Sequence, residues 1–238
     1  MPLSKNKPVA LFDIDGTIFR NSLFIELHWK MVKEGIIPRS AITKLDKKYW
    51  QWVTRQGTYE EYLEEVIASF NKFIKGVPVA TMERLAKYVV KNQSNIVYRY
   101  TRSLIGSLRK THLLVAISVS QHVVVEEFAR AWGFDYFIGT EHEVEGRRFT
   151  GRVGWIASAN KKEALEKLQS KHGFVLGKGS VAVGDTESDI PTLSLVERAI
   201  CFNPTKGLYE VAQKNGWEIV LERKDTIVKI KKGKAELV

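Results

Sequence analysis

The stretch VALFDIDGTIF, Val9 to Phe19, sets two carboxylates, Asp13 and Asp15, two residues apart at the end of an apolar run. An unpaired carboxylate near a core is costly, and two close together repel each other. A second apolar run, VAVGDTESDIPTL, ends in Asp185 and Asp189, with Pro191 suited to the first turn of a following helix. Open parallel sheets bind ligands at the carboxyl ends of their strands. If these two runs are neighbouring strands, four carboxylates converge there. Such a cluster needs a cation, and hard oxygen ligands suit Mg²⁺. Taken alone, DIDGT also reads as a turn closing a strand, since Asp and Gly are ordinary turn residues.

The neighbouring residues fit an anion. Gly16 lets the chain turn sharply and lets backbone N–H groups approach a phosphate, and the Thr17 hydroxyl can hold that turn. LLVAIS brings Ser118 to a strand end, where its hydroxyl and the next N–H could face the site. Ser120 reads as the cap of the next helix. NKKEAL puts Lys161 and Lys162 at a helix start, where the dipole disfavours cations. One of them facing an anion would explain the placement; a solvated pair is the alternative.

The elements that must carry these residues follow from periodicity. Val9 to Ile14 reads as a buried strand, as do LLVAIS, SVAVGD, AICF and WEIVLE. Between the first and second of these the pattern turns helical. SLFIELHWKMVKEG, SAITKLDKKYWQWV, TYEEYLEEVIASFNKF and TMERLAKYVV each have apolar residues at helical spacing, and Thr58 with Glu61 forms a capping box. QHVVVEEFARAWG and NKKEALEKLQSKHG read as further helices, and EVEGRRFTGRV as a hairpin. The whole predicts an α/β protein with a mostly parallel, Rossmann-like sheet and an all-helical cap inserted after the first strand. Residues 1–20 and 93–238 form the expected core domain and residues 21–92 the cap. The tail stretch TIVKI is expected to add an edge strand guarded by lysines.

Composition narrows the function classes. The chain has 238 residues, 44% of them hydrophobic, which suits one large domain or one domain with an insertion. Its longest apolar runs fall short of a membrane span, and the start MPLSKNK lacks the features of a signal peptide, so a soluble, cytoplasmic protein is expected. The single cysteine, Cys201, excludes an internal disulfide and a cysteine-based metal cluster; it reads as a buried strand residue. The formal net charge of +10 favours anionic partners. The charge is spread along the chain, without an Arg-rich arm or zinc-finger spacing, so a solvated basic surface is favoured over a nucleic-acid footprint.

In order, FDIDGT, VAIS, NKKEAL and VGDTESD resemble the motifs of the haloacid dehalogenase superfamily, and specifically its phosphoserine-phosphatase-like subfamily IB. The resemblance spans nearly the whole chain, including the helical insertion and the stretch FNPTKGLYEVAQKNGWEIV. It implies a Mg²⁺-dependent phosphomonoester hydrolase acting on a small phosphorylated metabolite. Asp13 resembles the nucleophile that forms an aspartyl-phosphate, and Asp15 the general acid–base. Asp13, Asp185, Asp189 and Asp15, the last through its backbone carbonyl, resemble the metal-binding set. Ser118, Lys161, Gly16 and Thr17 resemble the phosphate-binding set, with Lys161 aligning better than Lys162.

The chain departs from phosphoserine phosphatases in three places. It reads SVSQ where they usually have Ser-Gly-Gly, Ser22 where they carry a glutamate for the substrate ammonium, and Ser188 where Asn often stands. Glu26, one helical turn further on, Arg20, Arg55 and His28 are candidate substrate contacts in the cap. Its aromatics, among them Trp29, Trp50, Trp52, Tyr49, Tyr59 and Tyr62, are expected chiefly to pack helices together. His112, His122, His142 and His172 show no metal-ligand spacing and receive no role. Other readings are a phosphatase or phosphotransferase at nucleic-acid ends and a binding module without turnover; the charged motif residues, all present, speak against the last.

Overall fold

The computed structural model describes residues 7–156, 161–231 and 233–237. Residues 1–6 of the lysine-bearing N-terminus, and Asn160 of the lysine motif, lie outside these.

Strand β1, Val9–Phe12, is buried along its whole length, as its unbroken apolar run requires. It is followed by α1 (Leu23–Lys33), α2 (Thr43–Val53), α3 (Tyr59–Ile74), α4 (Val79–Gln93) and α5 (Arg99–Leu108), and only then by β2 (Leu113–Gln121). The chain continues as α6 (His122–Ala131), β3 (Tyr136–Glu145), β4 (Arg148–Trp155), α7 (Lys161–His172), β5 (Val181–Gly184), α8 (Ile190–Leu193), β6 (Arg198–Phe202), α9 (Lys206–Asn215), β7 (Glu218–Arg223), β8 (Thr226–Lys231) and β9 (Lys234–Leu237). No helix is long and apolar enough to cross a membrane among the described residues.

The strands form one sheet in the order β4-β3-β2-β1-β5-β6-β7-β8-β9. The six strands from β3 to β7 run parallel, and the hairpin β3–β4 and the meander β7–β8–β9 add antiparallel flanks. TIVKI, expected at the edge, is instead an inner strand: β8 pairs on both sides, and the exposed β9 takes the edge.

Strand alternation sends residues to two separate cores. Ala10 and Phe12 join the cap helices, α5 and α6 in one cluster; Val9 and Leu11 join α7 and α9, with Cys201, in the other. Strands β1 and β5 are neighbours, with Ala10 opposite Val181 and Phe12 opposite Val183. The chain leaves β1 toward β2 on one side and returns to β5 on the other, so the order reverses between them. That reversal opens a crevice at the strand ends.

The cap is packed as its aromatic content suggests. Trp52 stacks on Tyr62 with centroids 5.7 Å apart and planes 3° from parallel, and Tyr49 and Tyr59 pack edge-on to Tyr62. Trp50 is the exception, 61% exposed. The capping box of Thr58 and Glu61 opens α3 as expected. Backbone bonds stitch the α3–α4 turn to the β3–β4 hairpin: Gly76 N–H donates to Phe149, Phe149 N–H to Val77, and Val79 N–H to Arg147. The hairpin therefore reaches beneath the cap and forms part of its floor.

Candidate active site

Asp13 follows β1, and its N–H donates to Val183 of β5 at 3.0 Å. Its carboxylate is buried. Oδ1 accepts from the Lys161 ammonium at 2.7 Å; Oδ2 is buried and has no partner among the described residues. Burial pushes the Asp13 carboxyl up, to about 7, against the opposing pull of Lys161.

Lys161 opens α7 and is itself 2% exposed. Its ammonium also meets Asp189 Oδ1 at 2.5 Å. Burial alone would lower its pKa, but Asp13 and Asp189 outweigh that and hold it well above the ordinary lysine value. Lys162 is exposed and, among the described residues, pairs with Glu166, so Lys161 is the one that enters the site. The other Asp189 oxygen, Oδ2, accepts the N–H groups of Asp185 and Thr186 at 3.0 and 3.1 Å. Asp189 thereby fixes both Lys161 and the loop that carries Asp185.

Asp185 lies at the end of β5. Its Oδ1 accepts the Thr17 hydroxyl at 3.1 Å. Its Oδ2 lies against Gly16, whose φ is +79°. A β-carbon there would come within 2.2 Å of that oxygen, so Gly16 is required by both conformation and space. Thr17, expected to bind phosphate, is fully buried and donates its hydroxyl to Asp185: it holds a carboxylate of the site rather than facing the cavity. Burial, then the charges of Asp13 and Asp189, raise the Asp185 carboxyl well above its usual range.

Asp15 turns the other way. Its Oδ2 accepts the hydroxyls of both Ser118 and Ser120 at 2.7 Å, and its Oδ1 accepts the Leu23 N–H at 2.5 Å. The first turn of α1 is consumed here. The N–H groups of Leu23, Phe24 and Ile25 reach Asp15, Ser120 and Ser22 respectively, satisfying donors that a helix start leaves open. Burial raises the Asp15 carboxyl, opposed by these hydrogen bonds. Ser118, expected to face a phosphoryl group, commits its proton to Asp15 in this structure. Ser120 is not the helix cap: Gln121 caps α6 through its side chain, and Ser120 belongs to the site.

Asp13, Asp15, Gly16, Lys161 and Asp185 line a cavity of about 750 Å³ between the sheet and the cap. Arg20 lines it too, its guanidinium 5.6 Å from the Tyr98 ring centre. Glu26 and Arg55 do not. Glu26 is tied to Asn21 and Gln93, and Arg55 is exposed in the turn after α2 with φ +62°. His28 also lies off the cavity, fully buried against Ser69. The sequence reading missed His142, Asn71 and Thr140, which reach the cavity from the hairpin and α3. A histidine without a spaced partner carries no sequence signal; only the hairpin's passage beneath the cap brings His142 in.

The donors present fit Mg²⁺. Two carboxylates, Asp13 and Asp189, hold the one ammonium, one buried oxygen of Asp13 lacks a partner, and Asp185 has no ion-pair partner among the described residues. No three His, Cys, Asp or Glu side chains form a metal cage by themselves among the described residues. Mg²⁺ does not ask for one; one or two carboxylates with carbonyl, water and phosphate oxygens complete its octahedron. Asp189 has Lys161 on one oxygen and backbone N–H groups on the other, which leaves Asp13 and Asp185 as the side chains free to ligate.

The model of the haloacid dehalogenase-like hydrolases matches residues 10–194. A probable phosphatase of Mycobacterium tuberculosis is 24% identical over 218 residues, covering 90% of this chain and 75% of the relative. A phosphoserine phosphatase of the same organism is 28% identical over 219 residues, covering 88% and 69%. A phosphoserine phosphatase solved as a phospho-aspartyl intermediate analogue superposes with a TM-score of 0.58 at 22% identity, covering 92% of this chain and 95% of that one.

Proposed function

We propose that this chain, which belongs to the haloacid dehalogenase-like hydrolases and has a phosphoserine-phosphatase-like fold, is a phosphatase that hydrolyses a small phosphorylated metabolite through a phospho-aspartate on Asp13. The observation that carries the reading is the Lys161 bridge. It immobilises one oxygen of Asp13 and leaves the other buried, without a partner among the described residues, at the head of the cavity.

In the first step Asp13 Oδ2 forms a bond to phosphorus while the bond from phosphorus to the ester oxygen breaks. Asp15, its carboxyl raised by burial, gives its proton to the departing oxygen. In the second step Asp15 takes a proton from water. The water oxygen bonds to phosphorus, and the bond to Asp13 breaks, releasing phosphate. Lys161 neutralises charge on the phosphoryl oxygens, and Gly16 keeps the approach to Asp185 open. Ser118 turns from Asp15 to a phosphoryl oxygen when substrate arrives. Asp13, Asp185 and the Asp15 carbonyl would hold Mg²⁺, which when bound shields the incoming phosphate from the anionic nucleophile.

Phosphate release from a panel of phosphomonoesters, with Mg²⁺ and then with excess EDTA, tests this. Metal-dependent turnover is expected; turnover that persists unchanged in EDTA contradicts the metal assignment, and silence on every ester contradicts the phosphatase reading.

A further inference from the structure

Beyond the carboxylates, the cavity changes character. Its walls come from Phe24, Trp52, Leu63, Ile67, Val153 and Ile156, on α1, α2, α3 and the β3–β4 hairpin. Ile67 and Ile156 are 41% and 46% exposed, so apolar surface continuous with the reacting groups is left in contact with water. At about 750 Å³ the space is in the range of pockets that enclose a drug-sized molecule, far more than a phosphoryl group fills.

The polar groups of these walls are neutral or turned aside. Ser22 caps α1 and is hydrogen-bonded to the Tyr59 hydroxyl. The Thr140 hydroxyl donates to the Val119 carbonyl at 2.7 Å. His142 pairs through Nε2 with Asn71 Oδ1 at 3.0 Å, and burial pushes its pKa down to about 4, so the ring carries no charge near neutrality. Glu187 lies against Gly207 at the start of α9. Three charged side chains remain, Arg20, Glu60 and Glu187; all are exposed, so none is a buried charge.

We infer that the alcohol released by this enzyme is uncharged and largely apolar, aliphatic or aromatic, and lodges between the cap helices and the β3–β4 hairpin. The inference rests on the phosphatase reading and assigns the substrate class of that same site. A leaving group with its own ammonium and carboxylate would lose water against walls that, beyond the reacting carboxylates and Lys161, offer it no buried counter-charge. A hydrocarbon or aryl group instead releases water from Ile67, Ile156 and Trp52, and its oxygen remains at Asp15.

The test is kcat/KM for an n-alkyl phosphate series and for phenyl phosphate beside O-phosphoserine, all with Mg²⁺. The value should rise about two- to fourfold per methylene along the series, and phenyl phosphate should exceed phosphoserine. Ile67→Glu, at an exposed position that tolerates charge for folding, should flatten the series. A flat series, or phosphoserine as the preferred ester, overturns this inference and leaves the phosphatase reading standing. Silence on every ester overturns the phosphatase reading, and calorimetry with n-alkylphosphonates then decides the cleft. Affinity that tightens with chain length supports the apolar assignment; affinity indifferent to chain length overturns it.

Discussion

The Lys161 ammonium lies 2.7 Å from Asp13 Oδ1, although the two residues are 148 apart in the chain and both are buried. A cation at a helix start opposes the helix dipole. Here it is held by Asp13 and, at 2.5 Å, by Asp189, so one side chain couples α7 to the ends of β1 and β5.

Replacing this lysine breaks a buried ion network and leaves two carboxylates facing each other. Lys161→Met should lower unfolding stability in EDTA by about 3–5 kcal/mol in urea titration. Added Mg²⁺ should restore part of that loss. An unchanged midpoint would show that the bridge contributes nothing to the fold.

Gly16→Ala brings a β-carbon within 2.2 Å of Asp185 Oδ2 at a backbone φ of +79°. The carboxylate must move. Turnover should fall at least about 100-fold, as for other displacements of positioned groups, and half-saturation should need more Mg²⁺. Wild-type metal dependence in the variant would mean that Asp185 is not a ligand.

Ser120→Ala removes a hydrogen bond that favours the charged form of Asp15. Its carboxyl should then hold a proton to higher pH. The alkaline limb of the kcat–pH profile, which reports loss of the acid, should move upward, with a smaller change in kcat at its maximum. An unmoved limb with a uniform fall in rate would assign Ser120 a packing role only.

How much of this was legible in the sequence depended on range. The DIDGT turn, the cap helices and the strand-end aspartates are local signals, and Asp13, Asp15, Lys161 and Asp185 do converge. Ser120 was misread because a serine before a helix usually caps it, while Gln121 performs that task here. Glu26 has the right helical spacing for a substrate contact, but Asn21 and Gln93 hold it off the cavity. His142 and the hairpin's share of the walls depend on β3 and β4 passing under α3, a pairing that no local pattern encodes.

His28 supplies a pH test away from the carboxylate cluster. It is fully buried, and burial pushes its pKa from 6.5 to about 4. Between these values the unfolded chain binds more protons, so its contribution is present above pH 6.5 and is lost as pH falls toward 4. The stability difference between wild type and His28→Gln should shrink over that window in urea unfolding. A difference independent of pH would mean that His28 does not titrate on unfolding.

In the proposed mechanism Asp13 carries the phosphoryl group. Protein turning over an ester with Mg²⁺ should be quenched in acid and digested, and the peptide containing Asp13 examined by mass spectrometry. The expected result is one added phosphoryl group on that peptide, labile to hydroxylamine and absent from Asp13→Asn, a variant that keeps its fold and loses at least about 10³-fold in turnover. Turnover undiminished in Asp13→Asn, or a phosphoryl group found on another residue, would contradict the account.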